Sequence, residues 1–243
     1  MSDMREPIDT QSWFFGTAEE DEQLEALNRG FWRRLLAHAR TEMRGHRVHT
    51  LADVGCHRGG LLELFINAFQ PHRAYGVEPL SAARERACFR LARSSTKVTL
   101  VPPERWNEVP TGAVDLLTCH EVLHLVADLH TFMAEVARVL RPGGCALIVL
   151  GCHIENPTWL HWKKHLVERN IRVHDHSPLD ILASASGVGL RTALQPLRRD
   201  GWVLYDPVAA TYTYASVAEM FDHQYRHKLL FRFLQPDEKE PAR

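Results

Sequence analysis

The sequence predicts a doubly wound α/β fold, in which a mostly parallel sheet carries helices on both faces. Three observations predict it. Short apolar segments alternate with helical patterns from residue 50 to residue 150. Residues 145–150 are apolar throughout, which is typical of a strand buried on both faces of a parallel sheet. A glycine-containing turn follows the first strand, and such turns lie at the ligand-binding edge of open parallel sheets.

Composition limits the size and the partners of this fold. A chain of 243 residues with 45% hydrophobic composition can bury one sizeable core, so we expect one domain. A net charge of -1 gives no basic field for nucleic acid, and a small, roughly neutral substrate is expected instead. No apolar run is long enough to cross a membrane, and the polar start lacks a signal peptide. We therefore expect a cytoplasmic protein without membrane contact.

The five cysteines are expected to be buried free thiols. Their number is odd, and several of them fall inside predicted strands or helices. A disulfide framework is therefore disfavoured, and a reducing compartment agrees with this pattern.

The N-terminal region contains one predicted helix. Apolar residues recur near helical spacing over residues 23–43, after an acidic lead at residues 19–22. Residues 13–16 form an aromatic cluster that is too short to be a domain. We interpret this cluster as an anchor packed on the core, with part of a lid over the substrate as the alternative.

The first predicted strand ends at Asp53, and a turn with Gly55, Gly59 and Gly60 leads into a helix. Glycine adopts backbone angles closed to other residues and lets a ligand approach the main chain. This pattern predicts a ligand-binding turn between a strand and a helix.

The second predicted strand ends at Glu78, 25 residues beyond Asp53. In a parallel sheet this spacing puts a carboxylate beside the glycine turn, where it can accept hydrogen bonds from both hydroxyls of a ribose. A nucleoside ligand is thus implied. The alternative is an ordinary carboxylate at a helix start, because Glu before Pro79 also favours helix initiation.

The remaining elements follow from the same patterns. Strands are predicted at residues 97–102 and 114–119, and a helix from residue 129 is stopped by the Pro-Gly-Gly at 142–144. Beyond residue 151 we expect helices at 157–170, 178–186 and 216–227, extended segments at 190–197 and 202–205, an edge strand at 228–234, and a disordered tail at 236–243.

Four segments of the chain resemble class I S-adenosylmethionine-dependent methyltransferases of the small-molecule type, similar to the ubiquinone and menaquinone methyltransferases. These segments are residues 51–56, 76–79, 115–128 and 135–144. The resemblance implies S-adenosylmethionine as the cofactor and a Rossmann-like, mostly parallel sheet of seven strands. Residues 1–45 and 152–243 lie outside the resemblance. We expect a single domain of residues 1–243, with an N-terminal helical cap (1–45), a cofactor-binding core (46–151), a lid with the C-terminal part of the sheet (152–235) and the tail (236–243).

The resemblance assigns cofactor contacts residue by residue. Asp53, Gly55 and Gly59 are expected at the methionine part and Glu78 at the ribose. The implied cofactor-binding set is Asp53, Gly55, Cys56, His57, Gly59, Glu78, Pro79, Glu104, Arg105, Trp106 and His120. His57 departs from the glycine usual in the family, so either the turn is wider or the imidazole itself touches the cofactor's carboxylate. The same departure argues against a dinucleotide.

The implied reaction is methyl transfer to a small-molecule acceptor, with O- or N-methylation expected first. The sulfonium is already activated, so the protein must mainly align a nucleophile and exclude water. His120 and His153 are candidates for a general base, with Glu121 facing the substrate, and no metal is expected. Aromatic residues in the flanking regions suit a flat ring substrate. The oligomeric state is left open.

Two alternatives remain at this point. His120, Glu121 and His124 match the H-E-x-x-H motif of zinc peptidases, although Ala127 replaces that motif's later glycine and a strand precedes it instead of a helix. The other alternative is a protein that binds the cofactor without transferring a methyl group, which only His57 supports.

Overall fold

The computed structural model describes residues 17–199, 201–203 and 214–237, which form one seven-stranded sheet with helices on both faces. The strand order is β3-β2-β1-β4-β5-β7-β6. The strands are β1 (Thr50–Val54), β2 (Arg73–Val77), β3 (Lys97–Val101), β4 (Val114–His120), β5 (Leu140–Leu150), β6 (Arg191–Pro196) and β7 (Leu229–Leu234). β1 to β5 are parallel, and β7 runs antiparallel to both of its neighbours.

Seven α-helices connect or cover these strands. They are α1 (Ala18–Glu42), α2 (Gly60–Phe69), α3 (Ser81–Leu91), α4 (Leu129–Val139), α5 (Trp159–Glu168), α6 (Pro178–Gly187) and α7 (Val217–Asp222). Short 3-10 helices lie at Pro103–Glu108 and Leu123–Leu125, and a π-helical turn at His223–His227 follows α7.

The sheet separates two hydrophobic cores. Alternate residues of β1, β4 and β5 pack with α1 and α2 on one face, and the residues between them pack with α4, α5 and α6 on the other. Residues 145–150 of β5 are therefore buried on both faces, as their sequence predicts. The predicted doubly wound fold with an N-terminal helix is confirmed.

The prediction of an edge strand at residues 228–234 was wrong. β7 lies between β5 and β6, pairs with both, and buries Phe231 and Phe233 completely. β6 is the edge strand instead, and most of its residues are exposed or half-buried. The sequence of the last strand has the buried aromatic residues of a central strand, but pairing partners cannot be read from one chain.

Other sequence predictions have mixed outcomes. All five cysteines carry free thiols, and four of them are buried. The aromatic cluster at 13–16, most of the predicted tail at 236–243 and half of the segment at 202–205 lie outside the described residues. Within the described ranges, no helix combines the length and the apolar character that spanning a bilayer requires.

A buried carboxylate ties the start of β4 to the start of β1. Asp115 accepts hydrogen bonds from the backbone N–H groups of His49 and Thr50, at 2.8 and 2.7 Å, and pairs with Arg141 through its other oxygen. Two backbone donors and one guanidinium therefore depend on one side chain.

We predict that Asp115→Ala lowers the free energy of unfolding by about 3 kcal/mol, because it leaves buried donors without an acceptor. Asp128→Ala removes an exposed helix cap at α4 and should cost only about 1 kcal/mol. Urea titration measures both, and equal losses would contradict the role given to Asp115.

Candidate functional site

Three neighbouring strands end at the same level of the sheet. Val77 of β2 and Cys119 of β4 both pair with Val54 of β1, so the next residues along each strand are Glu78, Gly55 and His120. These residues form one row at the carboxyl edge, where the strand order reverses between β1 and β4. Open α/β sheets bind small molecules at this position.

Asp53 lies on β1, two residues before Gly55 at the centre of this row, and its side chain is buried, with 1% exposed. Its Oδ1 accepts a hydrogen bond from the Thr118 hydroxyl at 2.8 Å, whereas its Oδ2 is buried and has no partner in the part of the chain that the structure describes. Burial raises the pKa of Asp53 to about 7, and the nearby Glu78 carboxylate adds to this rise. The site thus holds a carboxyl oxygen that lacks a counter-charge.

Glu78 joins the glycine turn to the start of α3. It accepts hydrogen bonds from the backbone N–H groups of His57 and Leu80, each at 2.9 Å. Burial raises the pKa of this carboxyl group. Each carboxylate oxygen can accept more than one hydrogen bond, so Glu78 keeps capacity for a ligand's hydroxyls.

Helix α1 is fastened to the glycine turn by ion pairs. Asp21 is completely buried, and its Oδ2 lies 3.1 Å from Nε2 of His57. Glu22 accepts a hydrogen bond from Arg58 at 3.0 Å. His57, which adopts a left-handed backbone conformation, therefore contacts the helix that covers the turn. The contact with Asp21 is therefore a structural reason for histidine, instead of the glycine usual in the family, at position 57.

Close packing explains why glycine occupies positions 55 and 59. A Cβ on Gly55 would lie 2.2 Å from Cγ2 of Val122, and one on Gly59 would lie 3.1 Å from Cβ of Ala87 in α3. Both glycines have positive φ, a conformation that favours glycine. Their contact with a cofactor stays a prediction.

His120 follows β4 and contacts α1. Its ring packs edge to face on Trp32, with 6.3 Å between centroids. Burial lowers the pKa of His120 to about 3, and the positive charge of Lys228 contributes. The imidazole is therefore neutral at pH 7.

Glu121 forms a buried ion pair with Lys228. The ammonium lies 2.7 Å from Oε1 of Glu121, and the carboxylate also accepts from the backbone N–H of Gly151. Burial alone would raise the pKa of Glu121, but the charge of Lys228, the hydrogen bond from its ammonium and the neighbouring histidines together outweigh burial, and the pKa is lowered. Lys228 also lies 4.1 Å from the ring centroid of Phe31. The pair joins the ends of β4 and β7.

His153 and His124 are buried beside this pair. Nε2 of His153 donates to the carbonyl of His227 at 2.8 Å, and burial lowers the pKa of the ring. His124 packs edge to face on Trp159, and burial lowers its pKa to about 4. His124 is thus held by packing in the core, and His153 by a backbone carbonyl.

The remaining predicted cofactor residues lie at the margin of the row. Glu104 and Arg105 are exposed on the 3-10 helix after β3, where Arg105 pairs with Glu108. Trp106 is buried and packs against Phe132 in the core. Pro79 is exposed, and Cys56 is buried with its thiol pKa raised by burial. Their part in binding a cofactor stays a prediction.

The structure removes the geometric basis of the zinc-peptidase alternative. His120 ends β4, Glu121 follows it and His124 lies on a 3-10 turn, so the motif is not on an α-helix. Ligand atoms of Glu121, His124 and Cys152 do lie within 4.8 Å of one another. However, the ammonium of Lys228 already occupies the carboxylate and opposes a second cation.

Three residues of the site were missed by the sequence reasoning. Asp21, Trp32 and Lys228 all reach the row from distant parts of the chain. The run of acidic residues in the first turns of α1 was a signal for Asp21, because it has more acidic residues than a helix start needs. Nothing local in the sequence marks the other two.

Comparison with known proteins finds a family that matches the central segment of the chain. Residues 52–148 match the family described as a methyltransferase domain, which confirms the resemblance over these residues. Over 107 residues the chain is 31% identical to the probable chloroplastic tocopherol O-methyltransferase of Oryza sativa subsp. japonica. That match covers 43% of this chain but only 29% of the rice protein's length.

Solved structures share the fold over most of the chain. One is a putative methyltransferase in complex with the Trm112 methyltransferase activator of Haloferax volcanii, with a TM-score of 0.73, 19% identity, and coverage of 94% of this chain and 98% of that one. Another is geranyl diphosphate C-methyltransferase of Streptomyces coelicolor A3(2), with a TM-score of 0.58, 19% identity, and coverage of 76% and 68%. At these identities the similarity concerns the fold alone.

We predict that Asp21→Asn loosens the first half of α1. Loss of a buried charged hydrogen bond to His57 should cost about 2 kcal/mol, which corresponds to roughly 30-fold faster hydrogen exchange there. Glu19→Gln, on the exposed side of the same helical turn, is the matched control. Unchanged exchange in Asp21→Asn, measured by mass spectrometry, would show that the contact does not hold the helix.

Proposed function

We propose that this chain, whose residues 52–148 match the family described as a methyltransferase domain, transfers a methyl group from S-adenosylmethionine to a small-molecule acceptor. The observation that carries the proposal is the pairing of two carboxyl groups at adjacent strand ends inside that segment. Asp53 is the last residue but one of β1, Glu78 follows β2, and the charge of Glu78 influences Asp53.

Asp53 suits the methionine part of S-adenosylmethionine. That part carries an α-ammonium group and a sulfonium, and the buried Oδ2 of Asp53 lacks a partner among the described residues. An uncompensated buried carboxyl oxygen costs folding free energy, which a cationic ligand would recover. Burial, together with the nearby Glu78 carboxylate, raises the pKa of Asp53, and a cationic ligand would act against this rise.

Glu78 suits the ribose. Its two oxygens are fixed by backbone donors on either side, from His57 and Leu80, so the carboxylate is preorganised. Preorganised acceptors pay little entropy when they bind a diol. The fold neighbour from Streptomyces coelicolor binds S-adenosylhomocysteine, which supports this choice of ligand.

The residues of the chain mainly cover the site and contact the acceptor in this reaction. S-adenosylmethionine supplies an electrophilic methyl group when bound. α1 covers the turn and excludes water, through Asp21 and Glu22. His120, in the row beside Gly55, is the residue we assign to the acceptor, with His153 and Glu121 as the neighbouring candidates.

O- or N-methylation of a small molecule remains the preferred class of reaction. The rice relative is described as an O-methyltransferase, which favours oxygen. Five free thiols agree with a cytoplasmic location. His57 is accounted for by its contact with Asp21, so it no longer supports a protein that binds without transfer.

We predict that Glu78→Ala weakens S-adenosylhomocysteine binding by about 100-fold, since charged hydrogen bonds worth about 3 kcal/mol are lost. Glu108→Ala, which changes an exposed carboxylate after β3, should leave the affinity unchanged. Isothermal calorimetry measures both affinities.

The turn could also suffer from the loss of Glu78, so Glu78→Gln is included. It keeps one acceptor oxygen and the side-chain volume, and it should bind with intermediate affinity at an unchanged melting temperature. Wild-type affinity in both Glu78 variants would contradict the assignment of the ribose.

We further predict that S-adenosylmethionine binding at pH 7 releases about half a proton, because Asp53 is then about half protonated in the free protein. A bound cation favours the carboxylate, lowers the pKa of Asp53 and expels its proton. Release should be small at pH 9, where Asp53 is already ionised.

Calorimetry in two buffers of different ionisation enthalpy measures this release. Asp53→Asn should abolish it, whereas Asp128→Asn, at an exposed carboxylate, should not. Two results would contradict the assignment of Asp53 to the cationic part of the ligand. One is proton uptake by the wild type, and the other is equal proton release by Asp53→Asn.

A further inference from the structure

Two buried nitrogen atoms above the end of β4 lack partners. Nε1 of Trp32 and Nε2 of His120 make no hydrogen bond within the described ranges, although their rings touch edge to face. Buried polar groups in proteins are normally satisfied. Two unsatisfied nitrogens in one ring contact indicate a ligand that supplies both partners.

The two nitrogens have complementary chemistry. The indole nitrogen of Trp32 can only donate a hydrogen bond. The imidazole of His120 is neutral, since burial and Lys228 lower its pKa to about 3. In the tautomer protonated on Nδ1, its Nε2 accepts a hydrogen bond. The matching ligand group accepts one hydrogen bond and donates another.

The surroundings offer no unmatched charge for an ionic ligand. Glu121 and Lys228, the charged groups that influence His120, neutralise each other at 2.7 Å. His153 and His223 lie beside this pair, and burial lowers the pKa of each ring. A carboxylate, phosphate or ammonium on the acceptor would remain unpaired, at a large cost in desolvation.

We infer that Trp32 and His120 hold the reacting group of the acceptor, and that this group is a neutral hydroxyl. The inference rests on the proposed function and narrows its acceptor. It also adds Trp32, a residue of α1 outside the segment matched by the family, to the substrate-binding residues.

The number of lone pairs distinguishes a hydroxyl from an amine. A hydroxyl oxygen has two lone pairs, so one can accept from Trp32 while the other attacks the methyl carbon. A neutral amine has a single lone pair, and accepting from Trp32 would block its attack.

The transfer step then balances. The oxygen–carbon bond forms as the carbon–sulfur bond breaks, and the electron pair of the broken bond goes to sulfur. The hydroxyl proton passes to Nε2 of His120. The sulfonium charge disappears as the imidazolium charge appears, so the net charge of the site is conserved.

Phenol, aniline and benzoate are matched probes for this inference. Each is titrated into the ¹⁵N-labelled protein saturated with S-adenosylhomocysteine, and the indole N–H resonances are followed by NMR. Trp32→Phe identifies the Trp32 resonance by its disappearance. We expect phenol to shift this resonance and to bind more tightly than aniline or benzoate.

Variants test the two nitrogens separately. Trp32→Phe and His120→Gln should each weaken phenol binding about tenfold, and Trp32→Phe should leave the affinity for S-adenosylhomocysteine constant. Trp202→Phe and His130→Gln are controls at exposed positions and should change nothing. With S-adenosylmethionine, methyl transfer should be faster to phenol than to aniline.

The outcomes separate this inference from the proposed function. If wild-type protein fails to bind S-adenosylhomocysteine, the proposed function fails. If that ligand binds but phenol leaves Trp32 unshifted, or benzoate or aniline binds more tightly, the hydroxyl inference alone is wrong. Full phenol affinity in both variants also overturns it.

Discussion

The site depends on the register of three parallel strands. β2, β1 and β4 are paired so that Val77, Val54 and Cys119 lie side by side, and the chain leaves the sheet at the same level on all three. A shift of one residue in either pairing would turn Asp53 or His120 towards the opposite core. The packing of the two cores therefore fixes the chemistry at the edge as well as the fold.

Charge at this edge is balanced locally, with one exception. Glu121 is matched by Lys228, Asp21 by His57, and Glu78 by two backbone donors. Asp53 alone keeps a buried carboxyl oxygen unpaired among the described residues. Because unmatched buried charge is costly, this exception is the strongest electrostatic indication of where a cationic ligand binds. Helix α1 closes the same region and contributes both the acid that holds the turn and the indole beside His120.

The sequence predicted the elements and the carboxylates because both depend on short-range patterns. Asp53 and Glu78 follow apolar segments at the expected spacing, and the alternation of strands and helices implies where those segments end. The prediction failed where the outcome depends on distant contacts. Residues 228–234 were predicted to form an edge strand of the sheet. This was wrong because β7 lies between β5 and β6. Trp32 and Lys228 have the spacing of ordinary helix and strand residues. The packing of α1 across the sheet brings Trp32 to His120, and the pairing of β7 with β5 brings Lys228 there.

The central claim is that the ends of β1 and β2 form one nucleoside site, with Asp53 at the amino-acid end and Glu78 at the sugar. A crystal structure of the protein with S-adenosylhomocysteine tests it most directly. We expect both ribose hydroxyls within hydrogen-bond distance of the Glu78 carboxylate and the α-ammonium next to Oδ2 of Asp53. Density for the ligand elsewhere on the molecule, or a ligand in the row with neither contact, would contradict the account.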